Sequence, residues 1–210
     1  MPLTGPVSLR RPVCAPRRAV VPLVALFVAL ALCGQHAQAQ VKPFKIVGAG
    51  IAPDGIPLPG GSAPHWAIGQ ATHLGRYYGS GAVHTNQITG FDPDTGVFSG
   101  EFGSAEPFVF VGANGDKLSC QYGRDDLATA DGGATSVGTF ELFPLGEGVY
   151  VAFWIAEFVP VVSECTGKFA GIKGSWIMYA MSEPFVLGST DPAGYSWQGD
   201  GSLEFAQGGR

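Results

Sequence analysis

From Tyr195 to Phe205 the chain alternates without a break. Tyr195, Trp197, Leu203 and Phe205 share one parity, with Gly199 and Gly201 between them, while Ser196, Gln198, Asp200, Ser202 and Glu204 take the other. A period of two sustained over this length belongs to an extended strand with one dry face and one wet face, the pattern of an antiparallel sheet. The rest of the chain agrees. Gly occupies 32 and Pro 16 of the 210 positions, and β-branched and aromatic residues cluster in short runs between turn signals. The spacing predicts an all-β chain.

A second unit lies around Asn114-Gly115, with Phe108 to Val111 leading in and Lys117 to Tyr122 leading out. Asn-Gly is the preferred pair of a type I′ hairpin turn, whose twist matches that of its strands. Past the turn Leu118, Cys120 and Tyr122 alternate with Lys117, Ser119 and Gln121, which puts Cys120 on the buried face. Further strands are expected at Phe44–Gly50, Trp66–His84, Gly96–Phe102, Val137–Phe143, Val149–Val162 and Ser175–Met181, with a short one at Phe185–Leu187. The segments Pro53–Pro64 and Arg124–Thr135, rich in Gly, Pro and Asp, read as loops. About eight strands with short returns predict a single antiparallel closed β-barrel, and closure removes the exposed edges of an open sheet.

Residues 1–39 are set aside as an expected signal peptide. Arg10, Arg11, Arg17 and Arg18 precede an apolar run from Ala19 to Cys33, and Ala37-Gln38-Ala39 supplies a small-x-small cleavage site. The run is about fifteen residues and contains Pro22, against roughly twenty residues for a membrane span. Residues 40–210 then form one domain, secreted or periplasmic, with no membrane span after cleavage. The whole chain carries a formal charge of −5, and loss of four arginines and no acid makes the exported form more acidic. Such a surface repels nucleic acid and anionic lipid. Removal of Cys14 and Cys33 leaves Cys120 and Cys165 as one pair in an oxidising compartment, which predicts a disulfide worth roughly 3–5 kcal/mol.

One stretch carries more than composition does. Thr166-Gly-Lys-Phe-Ala-Gly-Ile-Lys-Gly174 resembles the T/S-G-x-F-x-G-x-x-G turn and strand of the allene oxide cyclases and dirigent proteins, through Gly167, Phe169, Gly171 and Gly174. Thr72-His-Leu-Gly-Arg76 and Ala113-Asn-Gly-Asp116 are similar to segments of small secreted bacterial barrels. The resemblance implies a barrel that holds a small hydrophobic or aromatic molecule and, where active, steers a cyclisation by shape. The glycines themselves imply turns and close backbone approach, with Phe169 as an apolar plug.

Candidate chemistry rests on two strands. In His65 to Tyr78 one parity reads His65, Ala67, Gly69, Ala71, His73, Gly75, Tyr77, a row of small residues bounded by imidazoles and a phenol. The other parity carries Trp66, Ile68, Gln70, Arg76 and Tyr78, and the sequence leaves open which faces inward. Glu157 sits in an apolar strand with Trp154, where desolvation would raise its pKa toward that of a general acid or base. Glu157 and His73 are therefore candidate catalytic groups, and Arg76, Tyr77, Tyr78 and Trp154 candidate ligand contacts.

Other motifs fail on context. Lys45 to Ala52 has a strand and G-x-G, but Pro53-Asp54-Gly55 stops the helix that a dinucleotide needs. Asp92-Pro-Asp94-Thr-Gly96, with Glu101 beyond it, has the spacing of a calcium loop and equally that of a plain turn, as does the Arg124 to Asp131 loop. There is no nucleophile elbow around Ser80 and no H-E-x-x-H. No metal or cofactor is expected. The readings are a small-ligand-binding barrel first, then a cyclase or isomerase, then a structural barrel with a filled core. They differ in whether Trp66, Trp154, Trp176 and the phenylalanines fill the interior.

Overall fold

The structure, a computed structural model, describes residues 39–123 and 137–206. The expected signal peptide and the Arg124–Thr135 loop lie outside the described residues, save for Ala39. Ten strands follow in order: β1 (Gln40–Ala52), β2 (Ser62–Ala71), β3 (Gly75–Phe91), β4 (Phe98–Gly112), β5 (Lys117–Tyr122), β6 (Gly138–Gly146), β7 (Val149–Pro160), β8 (Lys173–Ser182), β9 (Phe185–Val186) and β10 (Ala193–Phe205). All pairings are antiparallel.

Eight strands close on themselves, in the order β1, β2, β3, β4, β5, β7, β8, β10 and back to β1. The two extra strands extend this barrel. β6 continues the lane of β5 between β4 and β7, pairing Phe98–Phe102 on one side and Val149–Ile155 on the other, and β9 pairs the start of β7. The expected all-β closed barrel is thus the observed fold.

Three local expectations are corrected. Trp66–His84 is two strands, because Thr72-His-Leu74 forms a turn in which His73 takes φ 66° and Thr72 bonds Lys45 through both backbone and side chain. That turn has neither Pro nor Asn-Gly, so the alternation on either side reads as continuous. Its three residues preserve the parity, with Ala71 opposite Gly75. The Asn114-Gly115 turn is not type I′, since Gly115 has φ 84° while Asn114 is not in the left-handed region. Gly112 N–H donates to Asp116 O, and the Asn114 side chain bonds Asp116 within the loop.

The third correction concerns the cysteines. Cys120 and Cys165 are two free, buried thiols rather than a disulfide. The chain after β7 docks across β5 by Val161 N–H to Ser119 O and Thr166 N–H to Lys117 O, and this register turns the Cys165 thiol toward the Ser119 carbonyl at 3.5 Å. Burial pushes the Cys165 thiol up to about 11 and the Cys120 thiol well above its ordinary value, so neither is a ready thiolate.

The interior is built from the inward parity of every strand. Tyr122 stacks on Phe158 at 4.8 Å, Phe158 on Trp176 at 5.4 Å, and Trp176 meets Phe44 at 4.7 Å. This aromatic column runs toward the end of the barrel that carries the 72–74, 113–116 and 161–172 connections. There Phe169 and Ile172 are fully buried beside Leu118 and Leu203, so the Thr166–Gly174 segment forms the plug of a closed end. Gly167 (φ 61°) turns the chain against the Asp116 side chain, and Gly174 (φ 99°) lies against the backbone of Ser202, two places where a Cβ would not fit. Trp66, by contrast, is outside the barrel.

Candidate functional site

The other end of the barrel is different. Between the Pro53–Gly61 connection and the middle of the aromatic column lies a cavity of about 60 Å³, walled by Val83, Phe102, Trp154, Met178, Ala180 and Trp197 among others, with no charged side chain in its lining. Its polar lining is mostly one cluster. His65 on β2 contacts the Tyr195 hydroxyl through Nδ1 at 2.8 Å and the Tyr122 hydroxyl through Nε2 at 2.8 Å. The Tyr122 hydroxyl oxygen also lies 3.0 Å from Ala82 O, and that of Tyr195 3.1 Å from Trp66 O.

Three distant parts of the chain meet here, and each residue arrives by parity. His65 belongs to the small-residue row of β2, whose neighbours Ala63 and Ala67 leave room beside it. Phe108 on β4 covers its ring at 4.8 Å. Tyr195 reaches it because Gly50, on the paired strand β1, has no side chain: a Cβ there would strike the phenol and the Trp66 carbonyl. One floor below, the Trp197 indole donates to the Tyr77 hydroxyl at 2.8 Å, which donates to Val47 O, and Gly48 gives both the space to meet.

Desolvation governs the electrostatics. Burial holds His65 down to about 4, so the imidazole is neutral at physiological pH. Burial likewise pushes the Tyr122 and Tyr195 hydroxyls well up, and Tyr77 up to about 12, so all three phenols stay protonated. The site offers a neutral imidazole between two neutral phenols in an apolar wall, a set that can hydrogen-bond one polar group or relay a proton.

A second, outer hollow of about 230 Å³ adjoins the cavity and shares Ile56, Pro57, Thr85 and Trp154 with it. It is lined by Leu58, Ile88, Phe98, Phe140, Leu142 and Leu187 among others. Thr85 holds the connection between the two. Its hydroxyl donates to Pro57 O at 2.8 Å, its carbonyl accepts from Gly60 N–H, and its N–H donates to Gly61 O.

The residues expected from sequence are dispersed. Tyr77 and Trp154 face inward, Trp154 in the wall of both hollows and Tyr77 in the floor below the cavity. Arg76 and Tyr78 are on the outer surface, Arg76 in a shallow groove with Lys45, Gln70 and Thr72. His73 is at the closed end, with Nε2 near Pro43 O at 3.2 Å and its ring against Phe205. Glu157 takes the parity opposite to Ala156 and Phe158 and lies on the outer wall. Glu157, His73 and Arg76 therefore do not meet in the cavity. Asp92 accepts from Asp94 N–H and Thr95 within its own turn, and Glu101 accepts from Gln87. Among the described residues no three or more His, Cys, Asp or Glu side chains come together as a metal-binding group.

His65 was legible only as part of a small-residue row whose direction the sequence left open, whereas Tyr122 and Tyr195 were legible as positions on the buried face of their strands. Their meeting spans 57 and 130 residues. No family model matches the chain, and neither a curated protein nor a solved structure matches it.

Proposed function

We propose that this protein is an exported barrel that binds a small, largely apolar molecule at its open end. The observation that carries the reading is the apolar cavity whose wall holds one buried hydrogen-bonding cluster, the usual make-up of a small-ligand site. Membership of the allene oxide cyclase and dirigent group rests on the three short motifs and is part of the same proposal. The filled closed end supports a rigid scaffold around the site. The expected signal peptide supports a secreted or periplasmic location.

The test is a thermal-shift and tryptophan-fluorescence titration with small apolar compounds bearing one polar group, since Trp154 and Trp197 line the cavity. A saturable response is expected in the native protein, and its loss in a Val83→Phe variant that fills the cavity. An equal response in that variant would place the binding elsewhere.

A second reading, catalysis of a cyclisation or isomerisation, is favoured by the neutral imidazole held between two phenols, a pairing suited to proton transfer without buried charge. It moves the candidate catalytic group from Glu157 and His73 to His65. Glu157→Gln is expected to leave any such turnover intact, and His65→Gln to lower it.

A further inference from the structure

The His65 cluster contains fewer hydrogens than hydrogen-bond contacts. A neutral imidazole has one N–H, and each phenol has one O–H, which makes three hydrogens. Four contacts ask for one each: His65 to Tyr195, His65 to Tyr122, Tyr122 to Ala82 O and Tyr195 to Trp66 O. With the hydrogen on Nδ1, Tyr195 accepts from His65 and donates to Trp66 O, and Nε2 must accept from Tyr122, which then leaves Ala82 O. With it on Nε2, Tyr122 satisfies Ala82 O and Trp66 O is left. A fourth hydrogen would require imidazolium, which the absence of any charged group in the lining and the burial of the ring both oppose.

The cluster is thus rich in acceptors and poor in donors. A ligand that brings only an acceptor, such as a ketone or an ether, must take a hydrogen from a set already one short. A ligand hydroxyl brings its own and can donate to a free lone pair of either phenolic oxygen. The two hollows add a constraint of size, because the inner cavity of about 60 Å³ holds only a short arm, whereas the outer one of about 230 Å³ holds a larger apolar body. Resting on the reading above, we infer that the site selects a neutral molecule with an apolar body in the outer hollow and a short arm ending in a hydroxyl that donates to the Tyr122–His65–Tyr195 cluster. Ile56, Pro57, Thr85 and Trp154 line both hollows, so a ligand that occupies both would pass beside these residues.

The test uses three matched probes on the unmodified protein: 3-cyclohexyl-1-propanol, its methyl ether and 3-cyclohexylpropanal, each titrated by tryptophan fluorescence and by calorimetry. One donated hydrogen bond predicts roughly tenfold tighter binding of the alcohol than of either other probe. Equal binding of all three, or tighter binding of the aldehyde, overturns the inference while leaving the small-ligand reading intact. Absence of binding by all three overturns both. The double variant Tyr122→Phe/Tyr195→Phe leaves an imidazole with one donor and one acceptor, and the alcohol's advantage over the aldehyde is expected to fall to about unity. An advantage that persists there would show that another group receives the hydroxyl.

Discussion

The two ends of this barrel are built from the same inward-facing parity and reach opposite outcomes. At the closed end Phe44, Phe110, Leu118, Phe169, Ile172, Trp176 and Leu203 pack to near-complete exclusion of solvent. At the open end the inward row is His65, Val83, Thr85, Ala180 and Tyr195, smaller or polar residues that leave space and supply hydrogen bonds. Large side chains facing large side chains fill a small barrel, whereas Ala and Gly facing aromatics leave a cavity. The difference teaches where to look for function in such a fold. The most distinctive sequence motif closes one end, and the least distinctive residues open the other.

The largest expected effect tests the closed end. Phe169→Ala removes a fully buried plug and should cost about 3–5 kcal/mol in a denaturant melt, whereas Val83→Ala beside an existing cavity should cost about 1 kcal/mol or less. Similar costs for the two would erase the contrast between the ends.

Acid should act next, and at the open end. His65 falls from an ordinary 6.5 to about 4 on folding, so the unfolded chain binds its proton first as pH drops. The stability this neutral imidazole contributes is complete above pH 6.5 and is lost progressively toward pH 4, by about 3 kcal/mol in total. Urea melts across that range should show the decline in the native protein and a flatter profile in His65→Gln.

Gly50→Ala should cost about 1–3 kcal/mol by overpacking and should displace the Tyr195 ring from His65. Chemical-shift changes at the His65 ring would report the displacement. An unmoved ring would mean that β1 yields instead. Smallest of all is the effect of Lys168→Ala, which removes a 3.8 Å surface ion pair with Asp116 at the closed end and should change stability by less than about 1 kcal/mol. A larger loss would show that the plug depends on that pair as well as on Phe169.

Much of the fold was legible because a strand writes its two faces into alternate letters. Tyr195 to Phe205 appears in the structure within β10, and Leu118, Cys120 and Tyr122 are buried as expected, although β5 has no wet face because Ser119 and Gln121 are buried too. The break at Thr72–Leu74 was not legible, since it depends on His73 adopting a left-handed conformation, and Gly75 (φ 74°), which closes the turn, reads in the sequence as one more small residue of the row. The disulfide expectation failed for a related reason. Counting cysteines says how many can pair, but the docking of the 161–166 segment on β5 decides where the thiols point.

The sequence by itself determined that this chain is all-β, that its strands alternate a dry and a wet face, and that the 166–174 segment must turn tightly. Local sterics and burial periodicity suffice for these, because each involves residues within one strand or one turn. Only the tertiary structure decided that the His65 row faces inward, that Glu157 faces out, and that His65, Tyr122 and Tyr195 share one cavity. Closure of the barrel sets those relations, since it joins β10 to β1 and β5 to β7 across long stretches of chain, and no local pattern encodes which phenol meets which imidazole.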